Sequence, residues 1–112
     1  MVTYADPDTK EYFDFPDRKV SVIKSVTNAN SFTDPVLLDP SKPASLSVSG
    51  TFTATARLLR SFDGGTTWHS VFTSTTPAEI LFDTSGPYPV LWKAGVNTGD
   101  FTSGTVEVGI YQ

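Results

Sequence analysis

From Leu46 onward the even positions read Leu46, Val48, Gly50, Phe52, Ala54, Ala56, Leu58, Arg60 and Phe62, and the odd ones read Ser47, Ser49, Thr51, Thr53, Thr55, Arg57, Leu59 and Ser61. This alternation has period two, the pattern of a pleated strand with one face on a core and the other in water. Gly50 interrupts the even series and marks a bend or bulge, so the run reads as one bent strand or two. DGGT then breaks the alternation, and WHSVF resumes it with Trp68, Ser70 and Phe72 on one side and His69 and Val71 on the other. The two glycines supply the positive φ angles of a tight turn, and the Asp63 carboxylate can accept N–H groups within it. Residues 57–71 therefore predict a β-hairpin.

The rest of the chain has the same character. KVSVIKSVT, residues 19–27, is β-branched and reads as the first core strand, NANSFTDP as a turn, and VLLDPSKPAS as a short strand or extended loop. EILFD places Ile80 and Phe82 on one face; YPVLWKAGV places Tyr88, Val90 and Trp92 on one face, which favours the core over a surface platform for Trp92. NTGDFTSGT reads as a loop, and in VEVGIYQ the residues Val106, Val108 and Ile110 alternate with Glu107, Gly109 and Tyr111. About seven short strands without a helical pattern predict an all-β fold: a single antiparallel β-sandwich or small barrel, immunoglobulin-like or jelly-roll-like, over residues 19–112.

Residues 1–18 differ. Asp6, Asp8, Glu11, Asp14 and Asp17 interleave with Tyr4, Tyr12, Phe13 and Phe15, and Pro7 and Pro16 oppose regular structure. Two readings are open for this lead-in: its aromatics pack on their own domain, or it is an arm that orders on docking to a partner. The arm reading makes Tyr4, Tyr12, Phe13 and Phe15 partner-binding residues. The segment lacks the basic and apolar stretches of a signal peptide, and no apolar run approaches a membrane span, so no membrane partner is expected.

With 112 residues the chain supports one domain with a modest core, and without cysteine it must hold by packing or association. A net charge of −4, with Lys and Arg scattered, disfavours nucleic acid. His69 is the sole histidine, which leaves no general base with a partner and excludes the commoner zinc sites. Asp34, Asp39, Asp83 and Asp100 fall in apparent loops, Asp63 belongs to its turn, and Glu107 lies on the polar face of the last strand, so no glycosidase pair is indicated. DPDTKE lacks the glycine and spacing of an EF-hand, and no glycine-rich loop opens a helix. The expectation is a protein without catalytic residues, cofactor or metal.

Two resemblances add to this reading. Ser61, Asp63, Gly65, Thr67 and Trp68 stand at the spacing S-x-D-x-G-x-T-W, which resembles the Asp-box of sialidase-type propellers. That resemblance implies a turn-stabilising device remote from catalysis. A propeller repeats blades of about fifty residues, and this chain carries one box. SGTFTATARLLRSFDGGTTW, EILFDTSGPYPVLWKAGV and FTSGTVEVGIYQ resemble small structural proteins of tailed bacteriophages, a resemblance that covers about residues 45–112. This second resemblance implies a virion location and a capsid decoration or cement role, bound to the major capsid protein or another virion protein. It also implies a homo-oligomer, with a trimer favoured. The alternative is a carbohydrate- or receptor-binding sandwich of a tail or head fibre, using Trp68, Trp92 or a tyrosine as a stacking platform.

Overall fold

The computed structural model describes residues 19–86 and 89–112, and every regular element among them is a strand. The expectations for residues 1–18, including Tyr4, Tyr12, Phe13 and Phe15, and for Tyr88 lie outside the described residues. Eleven strands follow in order: β1 (Ser21–Val26), β2 (Ser31–Phe32), β3 (Val36–Leu37), β4 (Ala44–Ser49), β5 (Phe52–Ala54), β6 (Ala56–Ser61), β7 (His69–Ser74), β8 (Ala78–Phe82), β9 (Leu91–Val96), β10 (Phe101–Gly104) and β11 (Val106–Tyr111).

All pairings are antiparallel. One sheet has the order β1-β11-β4-β8; the other has the order β2-β9-β6-β7 with β3 also on β9; β5 and β10 form a short ribbon. Joining β2 to β3, β5 to β6 and β10 to β11 as interrupted strands reduces the eleven to eight. Those eight pair first with last, second with seventh, third with sixth and fourth with fifth, which is the jelly-roll order rather than the immunoglobulin one. Among the described residues both sheets keep open edges, so the fold is a sandwich and not a closed barrel.

The core follows from the alternation. Leu46 and Val48 of β4, Val106, Val108 and Ile110 of β11, and Trp92, Ala94 and Val96 of β9 are all buried between the sheets. Ser45, Ser47 and Glu107 alternate with them and face outward. At one end Gln112 fastens the turn between β3 and β4. Its Oε1 accepts the Asp39 N–H at 2.7 Å, while Nε2 donates to the carbonyls of Asp39 and Lys42 at 3.0 and 2.9 Å. The Thr84 hydroxyl donates to the same two carbonyls.

Four details differ from the sequence reading. The long run over residues 44–61 is three strands, broken at Gly50 and again at Thr55. The turn over residues 28–35 and the loop over residues 97–105 contain the short strands β2 and β10. The strand through Trp92 begins at Leu91. Finally, Leu58 pairs with Phe72 but Leu59 with Ser70, so Val71 is an extra residue on β7. That bulge puts Ser70 and Phe72 on opposite faces, where a plain alternation would have kept them together.

Candidate docking hairpin

The β6–β7 connection brings Ser61, Asp63, Gly65, Thr67 and Trp68 into one turn. Ser61, at the end of β6, is fully buried, and its hydroxyl donates to Asp63 Oδ1 at 2.7 Å while accepting the Gly65 N–H at 2.9 Å. Asp63 Oδ1 also accepts the N–H groups of Thr66 and Thr67 at 3.1 and 2.8 Å. The backbone turns back through Gly65 at φ +100°, and the Trp68 indole N–H closes the loop on the Gly65 carbonyl at 3.0 Å. The Thr67 N–H first, then the Ser61 hydroxyl, hold the Asp63 carboxyl down from its ordinary 3.8 to about 2.

Trp68 is tied to the outward face of the second sheet. Lys93 Nζ lies 4.3 Å from its ring centroid and 4.1 Å from that of Phe32, so the ammonium is stacked between two aromatics. Burial there pushes the Lys93 pKa down. Leu59 opposes Lys93 on the same outward face and is only 4% exposed. An outward position thus acts as a small second core that anchors the hairpin to its sheet.

Among its exposed polar residues the hairpin also shows two large apolar side chains to solvent. Phe62 is 45% exposed and Val71 41% exposed. The His69 ring sits 5.7 Å from that of Phe62, and the Arg60 guanidinium lies 5.0 Å from the Phe62 centroid. Phe62 belongs by parity to the inward even series, yet β6 ends at Ser61 and leaves it beyond the sandwich. The sequence signal for this was its place between Ser61 and Asp63, whose side chains turn inward to each other. Among the described residues β7 pairs only with β6, which leaves its other side an open edge, and the Val71 bulge interrupts that edge. Bulged edges resist strand addition, which leaves side-chain contact as the way this surface can bind.

The carboxylates are held locally. Asp39 accepts the N–H and hydroxyl of Ser41 at 2.9 and 2.6 Å, and Asp83 those of Ser85 at 2.9 and 2.7 Å. The Ser85 N–H is the main cause of a lowered Asp83 pKa. Asp100 pairs with Arg57 Nε at 2.6 Å, and Glu107 accepts the Ser25 hydroxyl at 3.3 Å. Among the described residues no three His, Asp or Glu side chains converge on a point where a metal could sit.

Ser61→Ala is expected to destabilise the fold by about 1–3 kcal/mol, since it strands the half-buried Gly65 N–H and removes the carboxylate's hydroxyl donor. The Asp63 pKa is depressed on folding, so its contribution is complete above the ordinary value near 3.8 and disappears as pH falls through about 2. Thermal melts of wild type and Ser61→Ala between those pH values check both points: the wild type should lose stability more steeply toward low pH than the variant. No family model, curated protein or solved structure matches this chain.

Proposed function

We propose that the protein is a non-enzymatic structural component of a tailed-bacteriophage virion that decorates the assembled head and docks through the β6–β7 hairpin. The observation that carries this reading is a braced hairpin that presents Phe62 beside its turn and Val71 on the bulge of β7, an open sheet edge among the described residues. Large apolar side chains held on a braced loop suit a fixed protein surface, because little freedom is lost when they are covered. The resemblance of residues 45–112 to phage structural proteins supplies the partner class, the major capsid protein or a neighbour of it. A domain that binds only the assembled shell stabilises that state by RT ln(1 + [L]/Kd) at each of many sites.

The glycan-binding alternative draws no support from either tryptophan. Trp92 is 1% exposed, and one face of Trp68 is taken by Lys93.

The test is co-sedimentation of the purified full chain with assembled heads of the phage that carries its gene. Wild type should pellet with the heads, and Phe62→Ser/Val71→Thr should bind at least about tenfold more weakly, equivalent to about 1.4 kcal/mol. Wild-type protein that stays in the supernatant at saturating heads would contradict the reading.

A further inference from the structure

The first sheet leaves its most exposed apolar side chains at its margins, not in its middle. The Tyr111 ring lies over Gly109 on the inner strand β11, where an added Cβ would meet the tyrosine hydroxyl at 2.6 Å. Leu81, on the edge strand β8, is 71% exposed, and Ile23, on the opposite edge strand β1, is 63% exposed. Both face outward, in neighbouring rows of the cross-strand register.

The edges differ in how they are guarded. In the second sheet Val71 bulges β7, and the opposite margin is made of the two-residue strands β2 and β3, with Pro35 between them. Such edges accept a further strand poorly. β1 and β8 run unbroken over six and five residues, without proline or bulge. Among the described residues each of them pairs on one side only. Their charges are opposite: β1 carries Lys24 with Lys19 just before it, β8 carries Glu79 with Asp83 just after it, and all four are exposed. Two β1 edges brought together would set lysine against lysine, and two β8 edges acid against acid.

We infer that copies of this chain join head to tail, the β8 edge of one copy pairing antiparallel with the β1 edge of the next. Strand direction permits this. Directions alternate across β1-β11-β4-β8, so β1 and β8 run opposite ways, and the next copy's β1 extends the sheet with the same face outward. Continuing the rows unshifted would set Leu81 against the next copy's Ser21. A shift of two residues keeps every side chain on its own face and sets Leu81 against the next copy's Ile23. The same register sets Phe82 against Val22 and Glu79 against Ser25. The two most exposed apolar side chains of the sheet thus cover each other as a cross-strand pair. So short a contact falls below the roughly 800 Å² per partner of a standard interface, which makes each contact weak and association dependent on concentration. It uses the first sheet alone and leaves the β6–β7 hairpin of the second untouched.

The test uses the full chain carrying Ile23→Lys or Leu81→Lys, both at exposed positions, with circular dichroism matching the parent. In sedimentation velocity the wild type should associate as its concentration rises to about 1 mM. Each variant keeps one competent edge, so alone it should associate at least about tenfold more weakly. An equimolar mixture of the two should form a heterodimer, through β8 of the Ile23→Lys chain and β1 of the Leu81→Lys chain. Because the sequence has no cysteine, Ile23→Cys mixed with Leu81→Cys under mild oxidation should give the mixed disulfide in preference to either homodimer. A wild type that stays monomeric throughout would overturn the inference. So would an Ile23→Lys chain that associates like the wild type, a variant mixture without heterodimer, or a Leu81→Cys homodimer as the main disulfide.

Discussion

Trp92→Ala is expected to cost about 3–5 kcal/mol, which would consume most of the stability of a domain this size. The side chain is 1% exposed in the middle of β9, with its ring 5.1 Å from that of Phe82 on the opposite sheet. It opposes Val36 and Arg60 in the register and thus spans the core at the end where the turn between β3 and β4 is fastened. Its indole N–H meets no acceptor among the described residues. Trp92→Phe should therefore be much milder than Trp92→Ala, because it keeps most of the ring and removes an unpaired buried donor. Urea titrations of the two variants give the comparison directly; equal losses would mean that the indole N–H, not the ring volume, is what the core depends on.

Gly50→Val is expected to cost about 3 kcal/mol through backbone strain and displacement together. Gly50 sits at φ +103°, where a β-branched residue is a steric outlier, and a Cβ there would run into the Thr105 carbonyl. The close approach is structural: the Thr105 N–H donates to the Thr51 carbonyl at 2.9 Å, so the bend from β4 into β5 and the break between β10 and β11 lie side by side. That paired kink lets β4 and β11 belong to the first sheet while β5 and β10 form their own ribbon. A variant that melts like the parent would show that the bend tolerates a different path.

Much of this was legible in local pattern. The alternation through Leu46 and Val48, and through Val106, Val108 and Ile110, assigns faces without any partner being known, because side-chain direction in a strand is a matter of parity. The break at Gly50 and the DGGT turn were legible because glycine reports backbone angles that other residues avoid. What parity cannot report is pairing. Ser21 meets Tyr111 and Ala44 meets Phe82 across long stretches of chain, and nothing near either residue encodes its partner, so jelly-roll and immunoglobulin orders look alike in the sequence.

The candidate surface was hidden for the same reason. Val71 is exposed because β7 carries one residue more than the strand it faces, a mismatch that exists only once the two are paired. Phe62 is exposed because β6 stops at Ser61, where the hydroxyl turns inward to Asp63 and Gly65. Short strands such as β2 were missed because two residues carry no period of their own; Phe32 is placed by Gly95, its partner on β9.

The most direct measurement of the docking claim is an electron cryomicroscopy map of heads incubated with the full chain. The expected map shows the sandwich at symmetric positions on the shell, grouped in threes, with the β6–β7 hairpin and the side chains of Phe62 and Val71 against the capsid protein. A sandwich seated on the shell by any other surface, with that hairpin turned to solvent, would contradict it.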